Sequence, residues 1–530
     1  MGVTERKTPL CAARKWPAVL ALFVAISAGQ AAATEVTSFT LIDSASDSDL
    51  QLLQDGDVVD LGVVGSSLNI RANTTGQIGS VRFGLDGNPD YSIENVAPYA
   101  LAGDVSGNYN SWTPSLGDHT LTATPYSGAD ATGTAGTVLT VGFRVVDEEV
   151  SFPPPTGGTG AVTGERKKWH KLTVDFVGPP SDENAGTNPF RTYRMSVEFL
   201  HDHSGTSVTA PGFFAADGNA ANTGATSGSI WRVHFLPPLE GQWNYTVSFR
   251  AGTDVSTSDQ PDAGVPTSID GATGSFTIGA TDKIGRDFRA RGRLEYVDER
   301  YLRFAETSEY FLKAGADSPE NFLGFFEFDN TQDNGGSAND LTDGLHRFEP
   351  HVDDWKSGDP TWKSGLGKGI IGAVNYLAGK GMNSVYFLTM NVDGDGREVY
   401  PWTTYSGRYR FDVSKLDQWE IVFEHMGQSG LMMHVVTQET ENDQLLDGGA
   451  LGTQRKLYYR EIVARFGHHP AVVWNLGEEN TNTDGERKAF SDYIKALDSN
   501  DHPVVVHTYP GQYDQIYSPL LGYPTFDGPS

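Results

Sequence analysis

At 530 residues the chain is long enough for about three or four domains of about 100–200 residues each, so core size sets no limit on its chemistry. Its net charge of -29, from 68 acidic against 39 basic side chains with no basic stripe, argues against nucleic acid and anionic membrane as partners. The one cysteine, Cys11, sits near the N-terminus, which excludes disulfides and thiolate metal sites from the rest of the chain.

Residues 1–33 read as an export signal. Arg6, Lys7, Arg14 and Lys15 make a basic start, 16–28 an apolar core, and Ala31-Ala32-Ala33 a small-residue cleavage site. The apolar stretch is shorter than the about 20 residues a membrane span needs, so cleavage rather than anchoring is expected, with the product secreted and free of the membrane. From 35 to 147 short strands alternate with Gly, Asp, Asn and Pro: Ser80-Val-Arg-Phe-Gly-Leu85 runs into the turn Asp86-Gly87, and Thr120-Leu-Thr-Ala-Thr-Pro125 and 138–146 follow. Such spacing predicts an all-β sandwich. The stretch 80–103, with Glu94-Asn-Val-Ala-Pro-Tyr-Ala, resembles the immunoglobulin-like modules of large secreted bacterial proteins, which implies a spacer or a weak carbohydrate binder.

Residues 148–163, with Phe152-Pro-Pro-Pro-Thr-Gly-Gly158, form a stiffened linker. A second all-β unit is predicted over 164–280, where 167–176, 193–199, 230–235 and 241–249 read as strands with aromatic faces. Trp169, Trp231 and Trp243 fit a core better than a sugar platform. Pro211-Gly-Phe-Phe-Ala-Ala-Asp-Gly218 with Trp231, Pro237, Gly241 and Trp243 resembles the β-sandwich placed directly ahead of the catalytic barrel in a group of bacterial glycoside hydrolases.

From 281 to 530 strands and helices alternate. Tyr310-Phe-Leu-Lys-Ala-Gly315 reads as the first strand, 384–390 as the second, 431–436 as the third, 471–475 as the fourth and Val504-Val-Val506 as the fifth. The helices between them carry apolar stripes: 365–380; one opened by Ser414-Lys-Leu-Asp417 with Leu416, Trp419, Phe423 and Met426; one with Tyr458, Ile462 and Phe466; and one opened by Thr483-Asp-Gly-Glu486. Repeated βα units with buried strands imply a parallel sheet. A (β/α)8 TIM-type barrel is the first choice and a doubly wound sheet the second, since no Gly-x-Gly-x-x-Gly loop follows the first strand. About five of the eight units are present, with a sixth strand starting near Thr525-Phe-Asp527, so the barrel is expected to be incomplete.

In a barrel the residues after each strand form the active face. Here they are Asp317, Glu320 and Asn321; Asn391, Asp393, Asp395, Tyr400 and Trp402; Gln438, Glu439, Glu441, Asn442 and Asp443; Asn475, Glu478, Glu479 and Asn480; and His507 with Tyr509. Carboxylates, amides and aromatics with few cations suit a neutral sugar, the carboxylates for proton transfer and the rings for sugar faces. Trp474-Asn-Leu-Gly-Glu-Glu479 resembles the strand-four pattern of the large clan of retaining barrel glycosidases. That resemblance implies Glu479 as general acid/base, with Glu478 where asparagine is usual and itself a candidate acid, and a nucleophile from a strand beyond Ser530.

Residues 312–530 resemble more narrowly a group of secreted bacterial barrel proteins assigned to polysaccharide breakdown, through Leu312-Lys-Ala-Gly-Ala-Asp-Ser-Pro-Glu-Asn321, Gln438-Glu-Thr-Glu-Asn-Asp443 and Asn475-Leu-Gly-Glu-Glu-Asn480. Plant or algal polysaccharide or oligosaccharide is the implied substrate. A non-catalytic carbohydrate-binding surface protein and a polysaccharide lyase are the alternatives. No cofactor or metal is expected: Asp393-Gly-Asp395 lacks the ligand ladder of a calcium loop and reads as a turn, and His468-His469 reads as a helix cap. Gly-x-Ser-x-Gly is absent.

Overall fold

Alternating burial decides the first part of the chain. In Gly117–Tyr126 the residues His119, Leu121 and Ala123 are buried and their neighbours are not, the period of a half-buried strand. The structure, a computed structural model, describes residues 34–146, 160–316, 319–335, 344–394 and 396–530. The export signal, most of the linker, Asp317 and Asp395 lie outside the described residues. The described residues divide into two compact units, 34–57 with 66–145, and 58–65 with the residues from 146 onward.

In the first unit one antiparallel sheet runs Ser48–Leu53, Glu35–Asp43, Leu68–Thr75, Tyr99–Ala100, and another contains Leu139–Val146, Gly117–Tyr126, Ser80–Leu85 and Asn88–Glu94 in that order. Phe39, Leu41, Ile70, Val81, Phe83 and Leu121 are wholly buried there.

The second unit begins with two more antiparallel sheets. One runs Ala161–Thr163, Leu172–Asp182, Ser227–Phe235, Phe213–Phe214, and the other is centred on Tyr193–His201 and Gly241–Ala251. Phe199 and Phe235 stack at 4.1 Å between ring centroids, and Trp231 and Trp243 are buried beside them. Trp169 is also buried and donates Nε1–H to Glu306 at 2.8 Å, so none of the three tryptophans offers a face to a sugar.

The next element departs from expectation. Tyr310–Phe311 is not the first parallel strand; it pairs antiparallel with Leu302–Phe304, which pairs with Leu294–Glu295. Leu294, Phe304 and Phe311 need a roof for their apolar faces, and find it in Met432, Ala471, Val473 and Val505 of the sheet that follows. That sheet has six parallel strands in strict chain order: β1 (Gly315–Ala316), β2 (Ser384–Leu388), β3 (Met432–Val436), β4 (Val472–Asn475), β5 (Val504–Val506) and β6 (Gly528–Pro529). Between them lie α1 (Lys368–Gly379), α2 (Val413–Gln428), α3 (Thr453–Phe466), α4 (Asp484–Leu497) and the short α5 (Tyr513–Tyr517).

Val385, Phe387, Met433, Val435, Val472, Trp474, Val504 and Val506 share one core with the apolar stripes of α1 to α4. The alternate positions Tyr386, His434, Val473 and Asn475 therefore face the side without helices. Thr483 and Glu486 cap α4 reciprocally, whereas α2 starts two residues earlier than its Ser414 signal, with Asp412 accepting the Lys415 N–H at 2.9 Å. Among the described residues no helix is long and apolar enough to cross a membrane.

Gly372 lets α1 lie directly on the chain before it. A Cβ there would stand 1.7 Å from the His351 carbonyl oxygen, so Gly372→Ala is expected to lower the stability of the second unit by about 1–3 kcal/mol, read from urea unfolding followed by tryptophan fluorescence.

Candidate active site

Strand β4 ends where Gly477 takes φ +145° and passes so close to β3 that a Cβ would lie 2.8 Å from Gln438 Cγ. Only glycine suits both conditions, and the turn brings Glu478 back over the helix-free face. Its N–H donates to the Gln438 carbonyl at 2.9 Å. Its carboxylate Oε2 accepts the Tyr386 hydroxyl at 2.8 Å, and Oε1 lies 3.7 Å from His507 Nδ1. Tyr386 Oη and His507 Nδ1 are 3.2 Å apart, which closes a three-membered group drawn from β2, β4 and β5. The Glu478 side chain is 17% exposed, so it is partly desolvated yet reachable.

Glu479 stands next to it in the left-handed region, φ +49°, a conformation costing a non-glycine residue roughly 1–2 kcal/mol and concentrated at functional sites. Its backbone carbonyl accepts the Thr440 hydroxyl at 2.5 Å, and Thr440 Oγ1 is 2.8 Å from Tyr509 Oη. The loops after β3, β4 and β5 are thereby tied together.

Below this layer His434 is buried beside Lys313 Nζ at 3.3 Å, Asn475 Nδ2 at 3.1 Å and Ser530 Oγ at 3.1 Å. Burial, followed by the charges of Lys313 and His507, holds its imidazole well below the usual histidine range, hence neutral. A cavity of about 600 Å³ opens here, lined by Lys313, Met432, His434, Val473, Val505 and Ser530 among others.

The structure brings Glu478, Glu479, Asn475, His507 and Tyr509 together, and gives the other expected residues different work. Asn442 is a buried brace: Oδ1 accepts the Val392 N–H at 3.1 Å, and Nδ2 donates to the Asp393 carbonyl at 3.0 Å and to Glu439 Oε1 at 3.1 Å. Asp393 is exposed, and Glu441 is exposed beside Gly394. Asn321 bonds Glu398 and lies 2.6 Å from His346 Nε2; burial raises the Glu398 carboxyl above its ordinary value. Glu320 contributes its carbonyl to the Leu388 N–H at 2.9 Å.

Asn391 is buried, its backbone bonded to Val399 at 2.8 Å. Trp402, expected to bind substrate, does not line the site. It has no exposed surface, carries Arg408 over its ring at 4.4 Å and packs on Tyr458, so it is core and cannot stack on a sugar. His468 and His469 do not cap α3 with their rings; both turn towards Glu420.

Tyr386 and His434 were not singled out by sequence reasoning. Both lie mid-strand in runs buried on both faces, where hydrophobicity does not tell one face from the other. The available signal was a polar ring at the same alternate position of two neighbouring strands.

Residues 165–250 match the model of a domain of unknown function, DUF5060. No curated protein matches the chain. Among solved structures, a protein from Bacteroides vulgatus ATCC 8482 assigned as a glycoside hydrolase is similar at 14% identity over 69% of this chain and 59% of that one, with a TM-score of 0.45. A glycoside hydrolase family 5 protein from Bacteroides vulgatus ATCC 8482 shows 13% identity over 41% and 40%, TM-score 0.26. A beta-glycosidase from Bacteroides vulgatus shows 10% over 94% and 58%, TM-score 0.26. The chain thus spans 59%, 40% and 58% of the lengths of these three.

Proposed function

We propose that the parallel sheet belongs to a (β/α)8 barrel and that its strand ends house a glycoside-cleaving site of a secreted protein acting on plant or algal polysaccharide. The observation that carries this reading is the Glu478 carboxylate, held at the end of β4 by Tyr386 and facing His507, with Glu479 at its side. Strict strand order and helices confined to one face support the barrel over a doubly wound sheet, which needs a reversal of order and helices on both faces. Retaining glycoside cleavage requires two carboxyl groups, one that gives a proton to the leaving oxygen and later takes one from the incoming water, and one that bonds to the sugar carbon as nucleophile, which this reading assigns to a later strand of the barrel. Glu478 suits the proton-transfer work better than Glu479, because its side chain is fixed by neighbours from two other strands. Tyr386 is a positioning residue: its hydroxyl donates to Oε2 and fixes the orientation of the carboxylate.

Incubation of the protein carrying all eight barrel strands with a panel of plant and algal polysaccharides tests the reading, the 530-residue chain alone being expected to show little or no turnover. New reducing ends without ultraviolet-absorbing unsaturated ends are expected, and unsaturated products would instead make the protein a lyase. Tyr386→Phe removes a hydrogen bond to a charged group worth about 1.5–3 kcal/mol, and is expected to lower kcat by about ten- to a hundredfold with KM little changed.

A further inference from the structure

Three elements of the second unit converge away from the Glu478 group: the strand Ser227–Phe235, helix α2, and the turn after α3. His234, Glu420 and His468 each present one ligand atom there, all within 4.8 Å of one another. We propose that these three residues bind a divalent transition metal, with Zn2+ the best fit, which clamps the antiparallel sheet to the helical layer.

The argument rests on His468. It is 4% exposed, and neither ring nitrogen has a hydrogen-bond partner. A buried polar atom left alone costs about 1–3 kcal/mol. Nε2 nevertheless lies 3.0 Å from Glu420 Oε1. The distance suits a hydrogen bond and the direction does not, as expected when two lone pairs converge on a third centre instead of pointing at each other. Metal–ligand bonds of about 2.0–2.1 Å in a tetrahedron separate the ligands by about 3.3 Å, close to this spacing.

The surroundings orient the set. His234 Nδ1 is 3.0 Å from Thr173 Oγ1, its cross-strand partner, which turns Nε2 towards the cluster. His469 Nε2 lies 2.9 Å from Glu420 Oε2, so Oε1 is the carboxylate oxygen that faces His468. Such outer contacts fix tautomer and orientation in metal sites. Lys171 opposes the ion: its Nζ is 2.9 Å from Glu420 Oε1, and it also bonds Glu424. Metal binding moves Lys171 wholly onto Glu424. Two imidazoles and a carboxylate leave a fourth position for water, and a cavity of about 280 Å³ lined by His234, Glu420 and Lys171 adjoins the cluster.

Untagged full-length chain, stripped with a chelator and dialysed against Zn2+, tests this by metal content, Co2+ visible absorption and thermal unfolding. One Zn2+ per chain, Co2+ bands of a four- or five-coordinate nitrogen/oxygen site, and a Tm raised by Zn2+ are expected. His468→Gln and His234→Gln abolish all three. Thr173→Val, which leaves the ligands in place, weakens Zn2+ about tenfold, and Lys171→Met tightens it by about as much. Wild-type chain that retains no Zn2+ from micromolar solution overturns the proposal, as does equal retention by the two histidine variants. Should those variants fail to fold, a Lys171→Met chain that binds Zn2+ no better than wild type, with Thr173→Val unchanged, overturns it equally, because the cluster is then an ion-pair network alone.

Discussion

Glu478→Gln lowers kcat/KM on a polysaccharide by about 10²–10⁴-fold, the usual contribution of a positioned proton-transfer group, while Glu479→Gln changes it only a few-fold. Glutamine keeps the size of the side chain and an oxygen for the Tyr386 hydroxyl, so the fold around Gly477 is preserved and only the proton is lost. The leaving group supplies an internal control. An aryl glycoside whose phenol departs as a stable anion needs little protonation, and the Glu478→Gln deficit on it is expected to shrink. Abolition by Glu479→Gln with Glu478→Gln near wild type would reverse the assignment. The strained backbone at Glu479 would then mark the reacting carboxyl itself.

Arg465→Met destabilises the second unit by about 3–5 kcal/mol, the cost of stranding buried charges. Arg465 is 2% exposed. It donates Nε–H to Glu461 at 2.7 Å, one terminal nitrogen to Asp417 at 2.8 Å and the other to the Phe214 carbonyl at 2.8 Å. One guanidinium thus joins α2, α3 and the antiparallel sheet. Burial pushes the Asp417 and Glu461 carboxyls above their ordinary values even with Arg465 pulling them down, and removing the arginine pushes both higher. A carboxyl raised in the folded state contributes stability below its unfolded value and loses it as pH rises through the folded value. The deficit of the variant is therefore largest at alkaline pH and smallest in acid. Urea unfolding at a series of pH values reads both size and slope, and a pH-independent deficit would assign the loss to packing rather than to the two carboxyls.

The alternation of strands and helices after residue 310 is written in the sequence because each helix carries a strong apolar stripe and each strand an unbroken apolar run. The loss of Tyr310–Phe311 from the parallel sheet has a local cause. Its residues read as a strand, but which sheet they join depends on Leu294 and Phe304, whose need for cover is not visible in Tyr310 itself. Trp402 misleads in the same manner: an aromatic in a polar loop suggests a sugar platform, and only Tyr458 and Arg408 from elsewhere turn it into core. For α2, Ser414 reads as the cap, but Asp412 takes that place because its carboxylate accepts the Lys415 N–H. Glu478 and Glu479 were legible as a pair. Which of them has a fixed side chain was not, since that depends on Tyr386 and His507, 92 and 29 positions from Glu478 along the sequence.

Those separations bear on when the protein becomes reactive. Tyr386 leaves the ribosome long before His507, 121 residues behind it, and Glu478 emerges between them. Until the strand carrying His507 docks, Tyr386 is the one member of the group that can reach Glu478. The grouping of the three side chains waits for its most distant pairing, that of Tyr386 with His507. A nascent chain therefore lacks the complete three-residue group until β5 has been made and docked.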